Sequence, residues 1–219
     1  KITMTQFIYL HGFASSPSSK KAVVFKNKFK EIGFSLVVPD LEKGNFENVN
    51  LTFQMNILFD LLDKYQDEEV CLVGSSMGGY IAAIAAQKRT NVKAIYLMAP
   101  GFNFMDRWMK KLGLDCEDET SWISMIPVFH YRYGVTKLIS TRIFKDAKNW
   151  SKLKLDRKIP VRIVHGINDE VVSVNESRNF IVDRPWSSLK ELDADHGLLS
   201  HVDWIVADSI RFFKSFKFI

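Results

Sequence analysis

Two cysteines in 219 residues are too few for a disulfide framework. Cys71 lies in an apolar run and Cys116 in an acidic stretch, so they are not expected to pair, and a cytoplasmic setting is expected. No run approaches the ~20 apolar residues that a membrane-spanning helix needs, so no integral membrane segment is expected. The start, Lys1-Ile2-Thr3-Met4-Thr5-Gln6, lacks the long apolar region of a signal peptide. Neither H-E-x-x-H nor paired C-x-x-C occurs, and no metal is expected. The phosphate-binding patterns G-x-G-x-x-G and G-x-x-x-x-G-K-[ST] are also missing, and no cofactor is expected. The net charge of +5 is not concentrated in a basic stripe; Lys20, Lys21, Lys26, Lys28, Lys30, Lys214 and Lys217 alternate with apolar residues and read as solvated helix faces. Nucleic acid is therefore not an expected partner, although a mild attraction for anionic substrates fits the charge. Nothing in the sequence bears on oligomeric state.

What is present is apolar content of 47%, enough for a sizeable core, and one organising stretch, Gly74-Ser75-Ser76-Met77-Gly78 followed by Gly79. Before it runs Glu69-Val70-Cys71-Leu72-Val73, which reads as a buried strand. After it runs Tyr80-Ile81-Ala82-Ala83-Ile84-Ala85-Ala86, which has high helix propensity. A G-x-S-x-G pattern arises by chance in roughly one chain of this length in fifteen, so an ordinary glycine-rich turn is the reading to beat. Strand, G-x-S-x-G, helix is the context of a nucleophile elbow. A serine at such a tip is strained, and Gly74 and Gly78 supply the room because they carry no Cβ.

The rest of the chain supports that context. Gln6–Leu10, Phe34–Val38, Glu69–Val73 and Val92–Met98 read as strands that alternate with helices, which predicts a parallel sheet wrapped by helices. The first helix begins near Ser18 or Ser19, carries Ala22, Phe25, Phe29 and Ile32 on one face, and stops at Gly33. Leu51, Met55, Leu58, Leu62 and Tyr65 mark a second. The rhythm lapses over about 102–157, an aromatic stretch with no clear strand, expected to be a helical insertion over the C-terminal edge of the sheet within a single domain spanning 1–219. It resumes with the strand Val161–Val164, a helix from about Asn175 to Val182, the strand Ser188–Leu192, and a closing amphipathic helix.

Three loops join the elbow at the C-terminal ends of predicted strands, where open α/β sheets bind ligands. Acyl transfer through serine needs a base to take the hydroxyl proton and an acid to orient that base. With Ser76 as nucleophile, His196 is the best base, because it follows the last strand and precedes Gly197. His165 reads as a structural turn residue, His201 as a surface residue, and His130 as a residue of the insertion. Asp169 is the best orienting acid; Asp193 and Asp195 sit too close in sequence to His196 to face its ring, and Glu170 is the remaining competitor. The order Ser76, Asp169, His196 is one that serine hydrolases of this architecture use. The backbone N–H groups of Met77 and Phe13 are the expected oxyanion donors. Candidate substrate contacts are His11, Trp108, Trp122, Met125 and Phe129, the aromatic members suggesting an apolar acyl group.

Leu10-His11-Gly12-Phe13-Ala14-Ser15-Ser16-Pro17-Ser18-Ser19-Lys20, Val38-Pro39-Asp40-Leu41 and Gly74-Ser75-Ser76-Met77-Gly78-Gly79-Tyr80 resemble the small bacterial α/β-hydrolase esterases of the YqiA/YcfP type. The broader likeness to α/β-hydrolases spans nearly the whole chain. It implies an α/β-hydrolase fold, a mostly parallel sheet flanked by helices, with a helical cap over 102–157. It also implies cofactor-free cleavage of a small-molecule acyl ester or thioester, with Ser76, Asp169 and His196 as the triad. The insertion is longer and more aromatic than in minimal members, so no substrate preference carries over. Two other readings stand beside this one: a same-triad hydrolase of a peptide or carbon–carbon bond, and a non-catalytic binding protein on the same fold.

Overall fold

The computed structural model describes residues 4–219. Six strands form the central sheet: β1 (Thr5–Leu10), β2 (Leu36–Val37), β3 (Glu69–Ser75), β4 (Val92–Met98), β7 (Val161–Gly166) and β8 (Ser187–Leu192). Their spatial order is β2-β1-β3-β4-β7-β8 and every pairing is parallel. Parallel strands need crossover helices, which bury both faces of the sheet, so the central strands are apolar on both sides. Alternation along β1 and β3 then divides the core. Phe7, Tyr9, Cys71 and Val73 pack with α1 (Lys20–Glu31) and α7 (Val202–Ser215). Ile8, Leu10, Val70 and Leu72 pack on the other face with α2 (Leu51–Lys64) and α3 (Met77–Lys88). The last flanking helix, α6 (Val174–Ile181), lies between β7 and β8 in sequence. No helix among the described residues is long and apolar enough to cross a membrane.

Ser19 caps α1 by accepting from the Ala22 N–H at 3.4 Å, as its position in the sequence predicts. Ile32, expected on the buried face of that helix, is instead its C-terminal cap residue and is exposed, because Gly33 at φ 86° turns the chain away. The Phe34–Val38 strand is reduced to two residues at the sheet edge.

The larger correction concerns the insertion. It contains α4 (Phe104–Leu112) and α5 (Arg142–Ser151), but between them an antiparallel hairpin of β5 (Met125–His130) and β6 (Val135–Ser140), where a purely helical segment was expected. Val128 and Phe129 pair with Lys137 and Thr136, and the turn Tyr131–Gly134 closes with Gly134 at φ 66°. Pro127 sits within β5, which tolerates it because a two-stranded ribbon is all edge.

The hairpin tip is fastened to the loops that leave β1 and β2. His130 Nε2 meets Glu42 Oε2 at 2.6 Å with both side chains buried, Arg132 pairs with Asp40 at 2.7 Å, and the Tyr131 N–H donates to the Ala14 carbonyl at 2.9 Å. Burial pushes the Glu42 carboxyl above its ordinary value, against the pull of His130. At the other end of the insertion, Asp146 of α5 accepts from the Thr52 N–H and hydroxyl, which ties α5 to the start of α2.

Candidate active site

Strand β3 ends at Ser75, and the chain turns into α3 through Ser76 at φ 54°, ψ −116°, a strained conformation for any residue with a Cβ. The turn is over-determined by its hydrogen bonds. Ser76 N–H donates to Met98 O at 2.9 Å, and its carbonyl accepts from Gly79 and Gly101, each at 3.0 Å. The two flanking glycines are steric requirements: a Cβ at Gly74 would overlap the Gly78 carbonyl, and one at Gly78 would overlap the carbonyl of Leu10.

His196 reaches Ser76 from the loop after β8, with Nε2 3.1 Å from Oγ. Its Nδ1 lies 2.7 Å from Asp169 Oδ2. A carboxylate only accepts, so Nδ1 carries the proton and Nε2 is left to accept from the serine hydroxyl. The Asp169 side chain is fully buried and held from four directions. Oδ1 accepts from the Val171 and Val172 N–H groups at 2.9 and 2.7 Å, and Oδ2 accepts from His196 and from His165 Nε2 at 3.1 Å. Burial alone would raise the Asp169 pKa. The hydrogen bonds from His165, His196 and Val172 outweigh it and hold the carboxyl well below the usual carboxylate range.

Met77 follows the serine directly, and the chain at Gly12, next to Phe13, passes close to it. A Cβ built on Gly12 would lie 3.5 Å from Ser76 Cβ, and Phe13, Met77, Ser76 and His196 line one cavity. Among the described residues, neither the Phe13 nor the Met77 N–H has a backbone hydrogen-bond partner, so both are free to donate.

Two arms of the cleft meet at Ser76. One, of about 370 Å³, is walled by Phe104, Trp108, Leu112, Pro127, Val128 and Phe129, with the Phe13 ring 5.7 Å from that of Trp108. The other, of about 320 Å³, runs past His196 and Gly197 and is lined by Ser15, Ser19, Lys20, Lys21 and Glu170. Tyr131, at the hairpin tip, borders both.

The substrate candidates therefore divide. Trp108 and Phe129 line the first arm, whereas His11, Trp122 and Met125 line neither. His11 is buried with both ring nitrogens engaged: Nδ1 donates to Gly12 O at 2.9 Å, and Nε2 accepts from Leu41 N–H at 3.1 Å. Burial also lowers its pKa, so it is a neutral pin between two loops. Trp122 packs edge-on against Phe144 and donates its indole N–H to Asp115 O at 2.6 Å. Met125 shares a face of β5 with Phe129 but lies four residues, about 13 Å, further from the tip.

Among the site residues that escaped the sequence reading, two stand out. His165, expected to be a turn residue, supports Asp169 through Nε2, which also donates to Val172 O at 2.8 Å, while Nδ1 faces Ser177 Oγ at 2.7 Å. Its place at the end of the strand that delivers Asp169 was the available signal. Lys21, expected on a solvated face, instead lines the second arm, because α1 starts beside the loop that carries Phe13.

Residues 6–213 match the uncharacterised protein family UPF0227, a span that includes all three segments on which the resemblance rests. The mitochondrial palmitoyl-protein thioesterase ABHD10 of Bos taurus is 25% identical over 75% of this chain, which spans 57% of that protein's length. A putative esterase/lipase of Mycoplasma pneumoniae is 34% identical over 43% of this chain and 37% of its own. Among solved structures, Est1E from Butyrivibrio proteoclasticus superposes with a TM-score of 0.81 at 19% identity, covering 98% of this chain and 89% of that one. The fold is that of an α/β-hydrolase.

Proposed function

The chain belongs to the uncharacterised protein family UPF0227, and on that premise we propose that it is a serine hydrolase of carboxylic esters or acyl thioesters. The observation that carries this is the unbroken hydrogen-bonded line from Ser76 through His196 to a buried, ionised Asp169, at the junction of two cleft arms. His196 takes the Ser76 proton as Oγ attacks the acyl carbon, and the carbonyl oxygen becomes an oxyanion held by the Phe13 and Met77 N–H groups. Collapse expels the alkoxide or thiolate, which receives the proton from His196 and leaves an acyl-Ser76 ester. Water, deprotonated by the same ring, then releases the carboxylic acid and restores the serine. Asp169 holds the ring in the tautomer that both halves require and stabilises the imidazolium between them.

The aromatic arm is the place for the acyl chain, since Phe104, Trp108, Leu112, Val128 and Phe129 offer hydrocarbon and aromatic surface there, with Arg107 and Lys111 also on its walls. The names of the thioesterase and esterase relatives fit this chemistry. The test is hydrolysis of p-nitrophenyl esters and matching acyl thioesters, from acetyl to palmitoyl, by wild type, Ser76→Ala and Trp108→Ala. Loss of about a thousandfold or more in Ser76→Ala is expected, with an optimum at medium or long chains that moves in Trp108→Ala. Equal rates in wild type and Ser76→Ala would refute the assignment.

A further inference from the structure

The second arm contains charged groups that triad chemistry does not use. Lys21 projects from the first turn of α1 into the cavity that holds Ser76 and His196, and Lys20 lines it too. The Lys21 ammonium is partly buried and has no hydrogen-bond or ion-pair partner among the described residues. Burial pushes its pKa down to about 8, only partly offset by Asp169 and Asp195 at longer range. A desolvated cation without a counter-ion is costly to maintain, and such groups collect where a ligand supplies the missing charge. Glu170 is the one carboxylate on the walls of the arm, and it is exposed. Cations line both arms, but those of the first are engaged, Arg107 with Glu176 and the Lys111 ammonium over the Trp108 ring, whereas Lys21 in the second has no such partner.

We propose that the second arm receives the leaving group, and that Lys21 selects leaving groups bearing an anionic oxygen group, a carboxylate or a phosphate, close to the scissile bond. The inference rests on the serine-hydrolase reading for its placement of acyl and leaving groups. With the acyl chain on the aromatic side, the departing alcohol or thiol takes the remaining arm, which runs past His196 and Gly197, beside the ring that must protonate it. Substrates of this class are acyl esters or thioesters of hydroxy acids or of phosphorylated alcohols and thiols.

The test uses three aryl esters of one acyl chain, whose leaving groups are 3-hydroxybenzamide, 3-hydroxybenzoate and 3-hydroxyphenyl phosphate. The kcat/KM of each anionic ester relative to the amide is measured in wild type, Lys21→Met, Lys21→Arg and Glu170→Gln. At least one anionic ratio should fall about tenfold in Lys21→Met, persist in Lys21→Arg and rise in Glu170→Gln. The anion with the larger Lys21-dependent change identifies the group selected. Ratios that are the same in wild type and Lys21→Met overturn the proposal. A second readout needs no turnover: binding of 3-hydroxybenzoate, 3-hydroxyphenyl phosphate and 3-hydroxybenzamide to Ser76→Ala, with and without Lys21→Met, followed by NMR titration. A preference for an anion that disappears with Lys21 supports the arm's role even if no ester is cleaved, in which case only the hydrolase reading fails. Absence of any such preference overturns the inference even if esters are cleaved.

Discussion

Replacing Lys21 by methionine should make the protein more stable at neutral pH. The ammonium titrates near 8 in the folded chain and near 10.5 when unfolded. A difference of about 2.5 pH units, at about 1.4 kcal/mol each, sets a ceiling of ~3.5 kcal/mol on the penalty of keeping the charge in the cleft. Lys21 keeps some contact with water, which reduces this to about 1–2 kcal/mol. The sign follows from proton counting. Between about pH 8 and 10.5 the unfolded chain holds the Lys21 proton and the folded chain has released it, so wild-type stability gains with pH across that window. Below pH 8 both states are protonated and the whole penalty applies; above 10.5 neither is, and it vanishes. Urea unfolding of wild type and Lys21→Met at intervals from pH 7 to 10.5 measures the difference free of the contributions of other groups, which cancel between the two proteins. The variant should lead by about 1–2 kcal/mol at pH 7, and the gap should close towards pH 10.5. A variant less stable than wild type at pH 7, or a gap constant across the range, would refute the argument that Lys21 is held at a cost.

Two further substitutions probe the site's supports. Gly78→Ala drives a methyl group into the Leu10 carbonyl and to within 2.6 Å of the His11 carbonyl, so it should cost ~3 kcal/mol or more by urea denaturation; a loss below about 1 kcal/mol would show that the elbow can relax. His165→Leu removes one donor from a buried carboxylate, so kcat should fall about ten- to a hundredfold with KM changed less than threefold, and stability at pH 7 should fall by ~1.5–3 kcal/mol. Because the folded-state pKa of Asp169 is depressed, the stability it contributes is present above the ordinary carboxylate range and lost as pH falls through the folded value. The His165→Leu deficit should therefore shrink in acid; a deficit independent of pH, or an unchanged kcat, would show that His165 does not act through Asp169.

The legible parts of this chain were those tied to strand ends. Ser76, Asp169 and His196 each follow a strand, apolar before the first two and mixed before His196, and a parallel sheet gathers such positions along one edge wherever their helices lie. Ser19 was legible for a similar reason, since a cap is decided by its immediate neighbours. What stayed hidden depends on contacts between distant segments. The fourth hydrogen bond to Asp169 comes from a histidine that also had an ordinary reading as a turn residue. Lys21 alternates with apolar residues like any solvated lysine, and only the packing of α1 beside the Phe13 loop turns it inward. The hairpin escaped because Pro127 interrupts its first strand, and because the buried partners of its tip, Glu42 and Ala14, lie some 90 to 120 residues earlier in the chain. Trp122 and Met125 are apolar in the same way as Trp108 and Phe129; distance from the tip sets Met125 apart, packing on Phe144 sets Trp122 apart, and composition carries no record of either.

Phe13 takes part in the cleft twice, through atoms that differ in how they are inherited. Its ring lies 5.7 Å from that of Trp108 in the aromatic arm, and in the mechanism proposed above its main-chain N–H serves the oxyanion. A codon dictates the ring but not the amide, which every amino acid except proline supplies. Missense change at this position can therefore widen, narrow or polarise the acyl pocket while leaving the donor in place. Met77, the residue after the serine, has the same property. On the mechanism proposed above, diversification of acyl preference can then proceed by single-nucleotide steps at these two positions, without passing through a form that lacks the two proposed donors.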